Sequence, residues 1–218
     1  MRRAIKPRAR QPGRPRVTAV VDMRAHVLEA ALRLFAAHGI AVTSLREIAR
    51  AAGVTPALLH YYFGDKAGLV DTLVDERLLP IVGEMRDALG RSADDSAGLI
   101  AGFVGAAFAL LERNAWFPQL WVREVLCEGG ALRQLVTTRI APMIPQQLAL
   151  RFAAAQQRGE LSADLDPRLL VVSMIGLTLF TAASAPIWRG IFRADDIDSE
   201  TLRTHTLALL DHGIGANG

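Results

Sequence analysis

Apolar side chains recur along this chain at helical rather than strand spacing. Val27, Leu28, Ala31, Leu34 and Phe35 share one face of a first helix predicted over 22–38, which His38 and Gly39 bring to a stop. Ser44 and Glu47, spaced as a capping box, open a second helix whose buried stripe is Leu45, Ile48, Ala49 and Ala52. Gly53, without a Cβ, closes it in a tight turn. Thr55 then caps a third helix, with Pro56 at its first position, where a missing N–H costs nothing. Leu59 and Phe63, four apart, face inward. A fourth helix is predicted from Lys66 to Leu79, ending at Pro80.

Beyond residue 80 the periodic segments lengthen, to about 97–114, 118–128, 131–158, 167–185 and 199–213. Pro142 and Pro145 kink or divide the third of these. Gly159 and Asp166-Pro167 bracket a turn in "QRGELSADLDP". No strand pattern competes and no repeat recurs. The expected fold class is all-α: a three-helix helix-turn-helix unit over 18–80, then a larger helical domain over 81–218, with the boundary near 78–82.

About half of the 218 residues are apolar, enough to bury a sizeable core, but the net charge of +3 hides an asymmetry. Arg2, Arg3, Lys6, Arg8, Arg10, Arg14 and Arg16 crowd into "MRRAIKPRARQPGRPRV", residues 1–17, leaving 18 basic against 22 acidic residues for the rest. Rich in Pro and Arg, that segment is predicted to be a disordered basic arm, and its charge calls for a polyanionic partner. It lacks the apolar run of a secretory signal. Cys127 is the lone cysteine, so the chain holds no internal disulfide and no Cys-rich metal site, as suits a reducing cytoplasm. His205 and His212, seven apart, lack a third ligand, and neither a metal nor a cofactor is implied. The uncharged run 169–188 is long enough to span a bilayer. Ser173, Thr178, Thr181, Ser184 and Pro186, with acidic flanks, instead predict a helix buried in a core or a subunit interface, and no membrane partner.

Two short helices joined by a glycine turn, the second capped by Thr-Pro, make a helix-turn-helix braced from behind by 22–38. With Leu59 and Phe63 buried, Pro56, Ala57 and His60 face outward, flanked by Leu58, Tyr61 and Tyr62. Small residues at the start of a helix let it sink into a major groove. Thr55 and the first backbone N–H groups suit one phosphate, and the tyrosine hydroxyls and Lys66 suit others. Singly, these residues have plainer readings: a capping box marks only a helix start, the tyrosines fit a core edge, His60 a surface. Their ordered combination points to double-stranded DNA.

Residues 27–39, "VLEAALRLFAAHG", and 43–70, "TSLREIARAAGVTPALLHYYFGDKAGLV", resemble the DNA-binding domain of the TetR family of bacterial transcriptional regulators. The resemblance implies base-edge contacts from Pro56, Ala57, Leu58 and His60, with Arg46 from the preceding helix. It implies phosphate contacts from Thr43, Thr55, Tyr61, Tyr62 and Lys66. Pro56 and Leu58 depart from the polar or very small residues that many members carry there. "PGRPR" at 12–16 is similar to minor-groove hooks, which would place Arg14 and Arg16 in the minor groove; a solvated tail is the alternative.

For the larger domain the resemblance implies an effector pocket within helices five to eight and a dimer interface built from the last two long helices, 167–185 and 199–213. Phe103, Phe108, Trp116, Phe117, Trp121, Met143, Met174 and Phe180 are the large or soft side chains that would line a pocket for an apolar or aromatic small molecule, though each also fits a core. The expectation is a homodimeric, ligand-responsive regulator, a repressor released from a palindromic operator, with recognition helices about 34–36 Å apart. Two rivals remain. One is a DNA-binding structural or interaction protein that senses no ligand. The other is an enzyme using Cys127 beside Glu124 and Glu128, which no motif supplies with a histidine.

Overall fold

In the computed structural model, which describes the backbone of residues 17–214 and the side chains of 23–211, every regular element is helical. α1 (Val17–His38), α2 (Leu45–Ala51) and α3 (Pro56–Phe63) precede α4 (Lys66–Leu73) and α5 (Leu79–Arg91). α6 (Ser96–Arg113), α7 (Phe117–Trp121), the single turn α8 (Arg133–Leu135) and α9 (Pro145–Gln157) come next. α10 (Pro167–Ile175), α11 (Thr181–Ala183), α12 (Ala185–Phe192) and α13 (Ser199–Ile214) complete the described residues. The basic arm expected over 1–17, with Arg14 and Arg16, lies outside them apart from Val17.

Local chemistry sets the first helices. α1 begins five residues before its expected start, since no helix breaker lies between Pro15 and Gly39. Gly39 ends it at φ +97°, a conformation that a side chain would disfavour. Ser44 closes the expected capping box: its N–H donates to the Glu47 carboxylate at 2.7 Å and its hydroxyl accepts the Glu47 N–H at 3.2 Å. The Ser44 N–H, and after it the hydroxyl, hold the Glu47 carboxyl below the usual carboxylate range. Thr55 accepts the Leu58 N–H at 3.3 Å and starts α3; Asp65 accepts the Gly68 N–H at 2.8 Å and starts α4. Leu28, Phe35, Ile48, Leu59 and Leu69 fill the core between them. Leu120, Val125 and Leu132, from beyond residue 81, complete that same core.

Pro80 does not end the fourth helix as expected. The chain passes from α4 into α5 through a π-helical turn, Val74–Leu78, in which Leu79 donates to the Val74 carbonyl. A proline denies its N–H to the carbonyl four residues back and crowds it. Here that carbonyl belongs to Glu76, and the Arg77 guanidinium donates to it at 3.1 Å. The widened turn relieves the clash, so the helix continues instead of breaking. Arg77 also pairs with Glu29 at 3.1 Å, and Glu76 with Arg24, which binds the turn to α1.

The second core gathers Leu99, Phe103 and Val104 of α6, Phe152 of α9, Met174 of α10 and Leu210 of α13. Trp116 and Phe117 pack against both cores. As expected, Pro142 and Pro145 divide the segment 131–158, with α8 and the π-helical turn Val136–Ile140 before them and α9 beginning at Pro145. The apolar run 169–188 is not one straight helix, since α10–α11 and α12 meet at Ser184 with a 70° bend. Among the described residues α6 is the one single helix long and apolar enough to cross a membrane, and it lies at the centre of the second core.

Candidate DNA-binding face and apolar chamber

α3 is amphipathic in the sense the sequence predicts. Leu59 and Phe63 are buried against α1, α2 and α4, whereas Thr55, Pro56, Ala57, His60 and Tyr61 are exposed and Leu58 and Tyr62 half-buried. Tyr61 is 81% exposed and sets its ring edge against Tyr62, with centroids 5.4 Å apart. Nδ1 of His60 lies 2.5 Å from the Gly64 carbonyl. A carbonyl only accepts, so Nδ1 carries the proton and Nε2 is left outward as an acceptor in the neutral ring. Gly64, at φ +74°, makes the turn that brings its carbonyl there.

Three further residues sit around this face. Arg46 is exposed on the first turn of α2. Lys66 is half-buried and donates from Nζ to the Ala41 carbonyl at 2.8 Å, tying the start of α4 to the α1–α2 link and leaving two donors outward. Thr43 is set apart from the others. It is 3% exposed, and its hydroxyl donates to the Gly39 carbonyl at 2.7 Å, an internal tie across the link.

An apolar chamber of about 120 Å³ lies between α5, α6, the α7–α8 region and the π-helical turn after α10. Of the eight expected pocket residues, Phe103, Phe117 and Trp121 line it. Phe108 and Met174 are ordinary core, Trp116 and Met143 pack against the cores without reaching the chamber, and Phe180 is on the outer surface, 68% exposed. The rest of the wall is aliphatic, notably Ile81, Met85, Leu120, Val125, Val136 and Leu179. Sequence reasoning missed them because an aliphatic residue at helical spacing carries the same signal whether it fills a core or lines a void. No charged side chain lines the chamber, and its hydroxyl, that of Thr178, donates to the Met174 carbonyl at 2.9 Å.

A second surface has no cover. Leu169, Val172, Ser173, Gly176 and Phe180 form one exposed stripe along α10 and the turn after it. A Cβ added to Gly176 would meet nothing within 4 Å. Thr201, His205 and Leu209 form an exposed stripe on α13. Cys127 is free and exposed, and no group of three metal-ligating side chains occurs among the described residues.

Comparison with known proteins follows the same outline. Residues 27–73 match the model of the bacterial regulatory proteins of the tetR family. The transcriptional regulator TtgR of Pseudomonas putida is 28% identical over 188 residues, 81% of this chain and 84% of that protein. The ketosteroid regulator KstR2 of Mycobacterium tuberculosis superposes with a TM-score of 0.71 at 20% identity, covering 89% of this chain and 95% of that one. FadR of Bacillus subtilis, solved with stearoyl-CoA, superposes at 0.64 with 22% identity over 85% and 96%. At such identities the superpositions establish a shared fold.

Proposed function

We propose that this chain, whose residues 27–73 match the model of the tetR family and which resembles DNA-binding transcriptional regulators over most of its length, is a homodimeric cytoplasmic repressor released from its operator by a small, uncharged, apolar molecule. In this reading residues 18–80 bind DNA and 81–218 hold the effector and the partner subunit. α3 enters the major groove, where Pro56, Ala57 and Leu58 meet base edges and thymine methyl groups. The outward Nε2 of His60 accepts from an exocyclic amine, the N6 group of adenine or the N4 group of cytosine. Arg46 adds a base contact. Thr55, Tyr61, Tyr62 and the two outward donors of Lys66 hold phosphates on either side. The apolar stripe on α10 and the mixed stripe of Thr201, His205 and Leu209 on α13 supply the interface with the partner subunit, and Gly176 lets the partner helix approach closely.

One observation carries the effector class. The chamber has no charge, and its Thr178 hydroxyl is already engaged with Met174. A polar group brought into it would lose water without replacement, at a cost of about 1–3 kcal/mol. A dry cavity of about 150 Å³ holds benzene, so a chamber of about 120 Å³ suits a short hydrocarbon as it stands and a single ring such as toluene once its walls move apart. The stearoyl chain that accompanies FadR is larger than that.

Thermal melting with toluene and, separately, choline tests this reading. Toluene at about 100 times its Kd should add about 2.7 kcal/mol of stability, and in parallel it should release bound DNA; choline should do neither. Stabilisation by choline and not by toluene would overturn the proposed effector class. A protein that binds DNA and responds to no apolar molecule would be a DNA-binding protein without ligand sensing.

A further inference from the structure

One buried carboxylate joins the chamber wall to the helix-turn-helix. Glu124 is 4% exposed and sits in the π-helical turn Val122–Leu126 that follows α7. One of its carboxylate oxygens accepts the Ile40 N–H at 2.7 Å, and the other accepts the Ala131 N–H at 3.0 Å. Its backbone carbonyl accepts the Leu132 N–H at 3.0 Å. Beside it, Arg123 donates from Nε to the Ala36 carbonyl at the end of α1, at 3.3 Å. Two glycines make the approach possible. A Cβ at Gly39 would stand 3.2 Å from the Glu124 carboxylate, and one at Gly130 would stand 2.3 Å from the Glu124 backbone oxygen.

The residues that flank this clamp in sequence are chamber wall. Leu120, Trp121, Val125 and Leu132 all line the chamber, and Leu120, Val125 and Leu132 also belong to the core of the DNA-binding unit. On the other side of the clamp, Ile40 lies in the short link that leads to Ser44, the cap of α2. We infer that Glu124 is the positioning residue through which filling of the chamber moves the α1–α2 link, and with it α2 and α3, away from the DNA-competent placement. This inference rests on the chamber being the effector site.

Wall stiffness decides the route. The chamber's other walls include α5, 13 residues long, and α6, 18 residues long. The wall at 117–126 is a five-residue helix and a widened turn. A molecule that expands the chamber displaces the shorter, looser element first. Displacement there pulls one carboxylate against two backbone donors on separate segments. Packed junctions have discrete arrangements and do not deform continuously, so a small shift of the clamp is resolved by its moving from one arrangement to another.

The test uses toluene as the chamber probe and a duplex selected from a random pool as the operator. In the native protein toluene should weaken operator binding by at least about fivefold, the lower end of ordinary allosteric coupling. The Ile40 and Ala131 amides should lose hydrogen-exchange protection together when toluene binds. Glu124→Gln keeps the side-chain shape but replaces one acceptor by an N–H₂ group. It should bind toluene with a Kd within about twofold of native, while the effect of toluene on operator binding shrinks below about twofold. Arg123→Ala, which leaves the carboxylate in place, should shrink the effect in the same direction and serves if the first variant does not fold. A purely structural Glu124 would lower the melting temperature and leave the toluene effect intact, which overturns the inference while the chamber reading stands. Unchanged protection at Ile40 in a responding native protein overturns it as well. If toluene neither binds the native protein nor alters its operator affinity, the chamber reading falls and the inference with it.

Discussion

Tyr61→Phe removes one oxygen atom from α3 and nothing else. The Tyr61 ring is 81% exposed, its edge contact with Tyr62 survives the change, and its hydroxyl has no hydrogen-bond partner among the described residues. Folding stability should therefore stay within about 0.5 kcal/mol of native. In the proposed complex the same hydroxyl donates to a phosphate, and a hydrogen bond to a charged group contributes about 1.5 kcal/mol. A two-fold dimer presents it twice, so the loss is about 3 kcal/mol, or about 150-fold in Kd. Phosphates are the same at every base pair, so the loss should appear on consensus and unrelated duplexes alike. No charge is removed, and the slope of affinity against salt should not change. Fluorescence anisotropy over a salt series, beside a melting curve, measures all three quantities. An unchanged operator Kd with an unchanged melting curve would refute the placement of Tyr61 on a phosphate, and so would a loss confined to the consensus.

Three other outcomes are expected. Phe180→Glu places a charge in the exposed stripe of α10, so sedimentation should show a monomer with native helical circular dichroism and no operator binding; a persistent dimer would put the interface elsewhere. Glu47→Gln removes a carboxyl whose folded pKa lies below its unfolded value, so the native protein has that stabilisation above about pH 4.3 and loses it as pH falls through the depressed value. The variant's stability should therefore fall less steeply below that pH, and parallel acid limbs would refute the capping box as their source. Phe35→Ala empties a fully buried site and should cost about 3–5 kcal/mol. Because Trp116 and Phe117 join the two cores, denaturant unfolding should shift as one transition and not split into two.

The sequence was most legible where one residue type has one structural use. Ser44 with Glu47, Thr55 with Pro56, and Gly53 named the ends of α2 and α3, because caps and positive-φ glycines are chosen by local backbone geometry alone. The outward face of α3 followed from the burial of Leu59 and Phe63. Thr43 was less legible: its hydroxyl has as much use for the Gly39 carbonyl as for a phosphate, and only the fold decides between them. Pro80 misled for a similar reason, since a proline forbids one hydrogen bond but does not say whether the chain breaks or widens. The chamber wall was hidden among aliphatic residues that look like core. In the sequence Glu124 stands out only as a neighbour of Cys127, because nothing there marks a carboxylate whose partners lie 84 residues away at Ile40 and seven residues away at Ala131.

Selection of bound duplexes from a random pool at near-physiological salt, with the native protein and with His60→Ala, tests the central claim most directly. The account predicts a two-fold symmetric consensus, its half-site centres about 34–36 Å apart, that relaxes at one position of each half-site in the variant. Binding without a symmetric consensus, or a consensus untouched by the loss of the His60 side chain, would contradict it.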